Sequence, residues 1–279
     1  MIRNPENLFL IILAFIWICG AVLQDLKRRE VDNLWNFSLI GFALAYRSLV
    51  SIFLLDYRFF INGLLGFAIF LFLGYLFYYL RIFAGGDAKL LIALGTILPL
   101  SFNWIINFKI FGLFILSFLT TGSIYVLIWA FVLIIFNFNS FSKEFLKQFK
   151  EYKQMFWISM IFVIFWFSIS FIIDFRFVFI SGVILLFPIL FVFAKAIEES
   201  CMIRNVNVKD LTEGEWLYRD VKVGKRVIKS SWEGISKQDV KFLKKHKKTV
   251  FIKVGVPFTP GFLIGFIVLL FLINKFSLF

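Results

Sequence analysis

The chain has 279 residues, of which 61% are hydrophobic and 42 are phenylalanine. A soluble domain of this length cannot bury so much apolar surface, so the composition predicts a polytopic α-helical membrane protein. The formal net charge of +13 is no sign of nucleic-acid binding here, because basic residues in membrane proteins first report topology. We therefore expect membrane lipids, and no nucleic acid, among the partners.

Cysteine and histidine are too sparse for several kinds of active site. Cys19 and Cys201 lie far apart and form no CxxC pair, which argues against a zinc ribbon or a disulfide framework. His246 is the single histidine, so histidine-based triads and HExxH zinc chemistry are excluded. We expect no metal and no cofactor, and any hydrolytic chemistry must depend on carboxylates.

Apolar segments predict about eight transmembrane helices, since about 20 apolar residues cross a bilayer. The eight segments are residues 8–23, 34–55, 61–80, 88–100, 108–136, 155–173, 177–196 and 262–273. The fourth is short and reaches the required length only by continuing through residues 104–106. Arg47 lies inside the second, and we expect its side chain to snorkel towards the nearer, outer surface.

The polar segments complete the predicted organisation. Residues 137–154 carry lysines and glutamates at helical spacing, which predicts an amphipathic surface helix. A glycine hairpin at 221–228 and a helix capped by Ser236 predict a small basic α+β domain before the last helix. The predicted domains are a transmembrane helical bundle (1–196), a cytoplasmic α+β domain (197–255) and a final transmembrane helix (256–279).

The distribution of Lys and Arg predicts the orientation in the cell membrane. Most of the basic residues fall on one side, in the segments 25–33, 81–89, 137–154 and 197–255. The loops of the other side hold only Arg3, Arg58, Arg176 and Lys275. Because basic loops remain in the cytoplasm, the polar domain is predicted to face the cytoplasm, with both termini outside.

One short motif lies between the third and fourth predicted spans. Residues 84–89 read AGGDAK, a glycine pair followed by a carboxylate and a lysine. Gly85 and Gly86 permit a turn with positive φ or a close backbone approach. Asp87 lies at or just before a helix N-terminus, so it is equally well interpreted as an N-cap.

A second carboxylate reaches the same side of the membrane. Asp25 ends the first span and Asp87 begins the fourth, and two spans lie between them, so both return to the cytoplasmic boundary. Two carboxylates that share a water are the minimal apparatus for aspartyl peptide hydrolysis. The alternative is a pair of unrelated boundary carboxylates, because Glu30 and Asp32 are cytoplasmic as well.

These motifs resemble a known family. The AGGDAK motif is similar to the GxGDxK signature of type IV prepilin peptidases and archaeal preflagellin peptidases, with Ala84 in place of its first glycine. Asp25, followed by basic residues and then Val31-Asp32-Asn33, resembles the family's DxxxxxxxN stretch. Residues 211–217 (LTEGEWL) and 253–260 (KVGVPFTP) resemble the archaeal branch.

The resemblance implies an aspartic endopeptidase that removes a short basic leader from pilin-like precursors at the cytoplasmic face. It makes Asp25 and Asp87 the catalytic pair, with Gly85, Gly86 and Lys89 as supporting motif residues. The predicted hairpin 155–196 exceeds the compact preflagellin enzymes, which favours pilin-like over archaellin precursors. The absence of paired cysteines argues against the methyltransferase activity of the bacterial members.

Two other functions agree less well with the sequence. A presenilin-type intramembrane protease also uses a GxGD motif, but its Tyr-Asp pair and its Pro-Ala-Leu motif are missing. A channel or transporter predicts acidic groups near the bilayer midplane, whereas these spans are nearly free of charge.

Two further expectations concern the site itself. Glu213 and Glu215, with Glu198 and Glu199, are candidates for binding a basic leader, although they are equally explained as solvating residues. Helix-end electrostatics predicts that Asp87, at a helix N-terminus, is the ionised base and that Asp25, at a helix C-terminus, is the acid.

Overall fold

The computed structural model describes residues 4–224 and 226–276, in which helices predominate. The helices are α1 (Pro5–Arg28), α2 (Asn33–Phe53), α3 (Arg58–Tyr79), α4 (Gly85–Leu94), α5 (Trp104–Phe136), α6 (Phe138–Glu151), α7 (Lys153–Ile173), α8 (Val178–Cys201), α9 (Lys237–His246) and α10 (Thr259–Phe276). The strands are β1 (Ile203–Asn207), β2 (Trp216–Leu217), β3 (Val221–Val223), β4 (Arg226–Ile228) and β5 (Thr249–Lys253).

Six described helices, α1, α2, α3, α5, α7 and α8, are long and apolar enough to cross a membrane, and α10 is a shorter apolar helix. The prediction of a polytopic helical membrane protein with a small α+β region near its end is confirmed. The prediction that residues 88–100 continue through 104–106 as one fourth span is wrong. Helix α4 has only ten residues, and Trp104 begins α5, so it does not continue α4.

The chain forms two compact units, and each is described by itself. The first unit comprises the chain up to Ile128 together with the part from Val256 onwards, and it contains α1 to α4, most of α5, and α10. In this unit α4 packs against α2 and α3, and α1 packs against α10. The stretch from Ala88 to Leu100 is almost entirely buried, so α4 is surrounded by protein although it is short.

A close contact of backbones places α4 against α3. A Cβ built on Gly66 would lie 2.3 Å from the carbonyl oxygen of Gly95, and one built on Gly95 would lie 2.4 Å from the Cβ of Phe70. Only glycine at both positions allows this approach. Aromatic rings join two other helices of this unit: Phe118 of α5 stacks on Phe262 of α10, with ring centroids 4.6 Å apart.

The second unit, residues 129–255, holds α6 to α9 and all five strands. Strand β5 is central in an antiparallel sheet of order β1-β5-β2, with Asn205 paired with Phe251 and Leu217 paired with Ile252. Strands β3 and β4 form the predicted hairpin around Gly224, whose φ is +58°. Ser236 caps α9 by accepting the amide N–H of Asp239, as predicted.

Candidate active site

Asp25 lies in the last turn of α1 and is nearly buried, with 7% of its surface exposed. Its Oδ2 accepts two hydrogen bonds from Thr259, the first residue of α10: one from the amide nitrogen at 3.1 Å and one from Oγ1 at 2.9 Å. Thr259 is fully buried. The partner lies 234 residues away in the chain, so no spacing in the sequence could have paired the two residues.

Asp87 is the third residue of α4 and is half-buried. The two glycines before it belong to the same helix, and neither has a positive φ. A Cβ on Gly85 or Gly86 would meet its nearest neighbour at 3.9 Å or 3.7 Å, which is ordinary contact. The positive-φ turn that these glycines permit does not occur, because the helix already begins at Gly85.

The carboxyl groups of Asp87 and Asp25 interact electrostatically. Burial and, to a smaller extent, the negative charge of Asp25 raise the pKa of Asp87 to about 7, against a backbone hydrogen bond at Ala84 that lowers it. The N-terminus of α4 favours the carboxylate anion and lowers the pKa of Asp87, but this effect does not outweigh the rise that burial causes. The raised pKa of Asp87 argues against the ionised role that helix-end electrostatics predicts for it, and Asp25 is the carboxyl group of the two that accepts hydrogen bonds from Thr259.

Polar contacts tie the start of α2 to the start of α4. Lys89 Nζ donates to Asn33 Oδ1 at 2.5 Å, and the buried Asn36 donates to the carbonyl of Gly86 at 3.4 Å. Asp32, directly before α2, accepts from Arg28 at the end of α1 at 2.7 Å. Lys89 therefore holds α2 against α4, the helix that carries Asp87.

Arg47 holds the opposite end of α4. Its side chain is fully buried and does not snorkel to a surface, contrary to the expectation from the sequence. The guanidinium donates to four backbone carbonyls, those of Phe59, Thr96, Ile97 and Pro99, at 2.7–3.1 Å. A buried cation that satisfies four carbonyls fixes the turn after α4, because those oxygens have lost water as a partner.

The acidic candidates for leader binding all lie in the second unit. Glu213 is exposed, and Glu215 is half-buried, with its Oε2 accepting the amide N–H of Thr212 at 3.0 Å. Glu198 forms ion pairs with Lys195 and Lys253, and Glu199 accepts from the hydroxyl of Tyr218 at 2.6 Å. Glu198 and Glu199 are thus engaged within their own unit, which leaves Glu213 as the most accessible of the four.

Metal ligands do not gather anywhere in the described part of the chain: no group of three or more His, Cys, Asp or Glu side chains is placed to hold an ion. Asp25 and Asp87 bring together two carboxyl groups, one of which, that of Asp87, has a raised pKa. Such a pair can take a proton from a water and give one to a carbonyl oxygen.

Comparison with known proteins points to one family. Residues 11–138 match the model of the type IV leader peptidase family. The chain is 39% identical over 89 residues to a preflagellin peptidase of Methanococcus maripaludis, covering 32% of this chain and 38% of that protein. It is 33% identical over 88 residues to a preflagellin peptidase of Methanocaldococcus jannaschii, covering 32% and 37%.

These alignments span well under half the length of the two curated relatives, and no solved structure matches the chain. The family match nevertheless contains both Asp25 and Asp87. The relationship of this chain to the type IV leader peptidase family, inferred from its motifs, is thereby confirmed for residues 11–138.

Proposed function

We propose that this protein is a membrane aspartyl endopeptidase that removes a short basic leader from type IV pilin-like precursors. One observation carries the proposal: Asp25 and Asp87 lie in the same unit and interact electrostatically, and burial together with the charge of Asp25 raises the pKa of Asp87 to about 7. A pair of carboxyl groups in this relation holds one proton between them near neutral pH, as aspartyl hydrolysis requires.

The reaction needs no group beyond the pair and a water. The ionised carboxylate takes a proton from the water as the water oxygen bonds to the carbonyl carbon, and the protonated carboxyl gives its proton to the carbonyl oxygen. The resulting tetrahedral diol collapses when the first carboxyl protonates the leaving nitrogen, the C–N bond breaks, and a hydroxyl proton returns to the second carboxylate.

The site is proposed to face the cytoplasm. The segments on the side of Asp25 and Asp87 contain most of the Lys and Arg residues, and basic loops remain in the cytoplasm. A leader that is cut there must be presented to the site before the precursor is exported.

Archaellin precursors are the second candidate substrate, because both matched relatives bear the name preflagellin peptidase. The pilin-like class is placed first because this chain has the additional apolar hairpin of α7 and α8. The two substrates call for the same chemistry at the same pair of carboxyl groups.

The test is cleavage by purified protein in proteoliposomes of one prepilin-like and one archaellin-type precursor. Wild-type protein should release the leader, whereas Asp25→Asn and Asp87→Asn should fold and release none. Asp32→Asn is the matched control, because Asp32 is half-exposed and pairs with Arg28 on the surface. Substantial turnover by either of the first two variants would refute the catalytic pair.

A further inference from the structure

The contact between Asp25 and Thr259 assigns different tasks to the two oxygens of one carboxyl group. Both hydrogen bonds from Thr259, at 3.1 Å and 2.9 Å, reach the same atom, Oδ2. An amide N–H can only donate, so Oδ2 is held as an acceptor and the proton of the pair does not reside there. Oδ1 is left as the oxygen that can receive a proton from water.

The position of Thr259 strengthens this effect. The first amides of a helix lack partners within the helix, and the N-terminal end carries a partial positive charge. Thr259 opens α10, and Pro260, the next residue, has no N–H to offer. Asp25 therefore accepts the amide that this helix end presents, together with a hydroxyl, and hydrogen bonds of both kinds stabilise a carboxylate anion.

We propose that Thr259 is a positioning residue that keeps Asp25 ionised, so that Asp25 is the base that activates water and Asp87 is the acid that protonates the carbonyl oxygen. This inference rests on the proposed function. In the first step the water proton passes to Oδ1 of Asp25 as the C–O bond forms, and the proton of Asp87 passes to the carbonyl oxygen.

Other charged or titratable groups surround the same carboxyl group. Asp87 of α4 interacts electrostatically with Asp25, and Tyr125 of α5 interacts with Asp25 and with Arg29, which directly follows α1. Arg29 is a cation, and the pKa of Asp87 is raised to about 7, mainly by burial. These groups, together with Thr259, are the ones against which the effect of the hydroxyl bond is measured.

The experiment compares three substitutions by the pH profile of kcat/KM. Thr259→Val removes the hydroxyl bond and keeps the amide bond, and Thr259→Ser restores the hydroxyl. Thr120→Val is the matched control, since the hydroxyl of Thr120 is exposed and bonds only within α5. A hydrogen bond to a charged group changes an ionisation equilibrium by about tenfold or more. The acidic limb for Thr259→Val should therefore move up by about one pH unit, with the alkaline limb and KM little changed.

A second measurement does not need cleavage. Infrared spectra of protein with labelled aspartate should contain a carboxylate band that Asp25→Asn removes, that Thr259→Val shifts and that Thr259→Ser leaves in place. The inference is overturned if Thr259→Val changes neither the acidic limb of the pH profile nor the carboxylate band of Asp25. It is also overturned if the infrared spectrum of the wild type contains a protonated Asp25 at neutral pH. If no precursor is cut by the wild type, the proposed function fails, and the infrared result still decides the role of Thr259.

Discussion

Replacement of Arg47 by Met tests whether the buried guanidinium holds α4 in place. Arg47 is fully buried, donates to four carbonyls and lies over the ring of Phe59 at 4.6 Å. Three of those carbonyls, at Thr96, Ile97 and Pro99, belong to the turn directly after α4. Met fills much of the same volume but donates no hydrogen bond, so Arg47→Met leaves these oxygens buried without that donor.

The magnitude follows from the number of bonds. A buried acceptor that loses its donor costs about 1–3 kcal/mol, and the lower value applied to all four gives about 4 kcal/mol. Removal of a buried charge offsets part of this cost, whereas breaking a buried charged contact typically destabilises by about 3–5 kcal/mol. We expect a loss of about 4 kcal/mol in the free energy of unfolding, which corresponds to roughly 10 °C in Tm.

The assay is thermal unfolding in detergent, followed by the fluorescence of the 8 tryptophans, together with precursor cleavage. Cleavage should fall with stability because Asp87 stands at the other end of α4. Arg47→Lys keeps the charge but supplies one nitrogen, so its Tm should lie between those of the wild type and Arg47→Met. Arg58→Met is the matched control, because Arg58 is exposed and exposed ion pairs contribute little to stability. A Tm for Arg47→Met as close to wild type as that of the control refutes the reasoning.

Three further predictions follow from the site and its surroundings. Cleavage should decline above pH 7 as Asp87 loses its proton. Between pH 3.8 and about 7 the folded wild type holds a proton on Asp87 that the unfolded chain has lost, so the unfolding free energy of Asp87→Asn should rise relative to that of the wild type across this range. A constant difference between the two unfolding free energies would contradict the raised pKa of Asp87. Gly95→Ala places a Cβ 2.4 Å from a neighbouring carbon and should cost about 1–3 kcal/mol in thermal unfolding, whereas Gly112→Ala, which meets nothing within 4 Å, should cost clearly less. Joint Glu213→Gln and Glu215→Gln substitution should raise KM for a basic leader more than for a neutralised one, and equal effects on the two leaders would make these residues merely solvating.

The sequence by itself determined the properties that depend on local composition. Hydropathy located the long apolar helices to within a few residues, and Ser236 and Gly224 marked a cap and a turn correctly. Two predicted spans separate Asp25 from Asp87 and return both to one side of the membrane. Together with the motif around Asp87, this was enough to select the two residues as candidates. These features are readable because helix length, capping and turn chemistry are fixed by residues close together in the chain.

The tertiary structure decided what depends on contacts between distant segments. Arg47 is buried because the carbonyls after α4 lie beside α2 and accept its hydrogen bonds, a fact that hydropathy does not contain. Helix α4 is short because it is enclosed by protein and need not span a bilayer by itself. The surroundings of the two aspartates depend on the same kind of contact: burial raises the pKa of Asp87, and Thr259, which is distant in sequence, donates to Asp25. Desolvation and hydrogen bonding act over a few ångströms in space, whatever the separation along the chain.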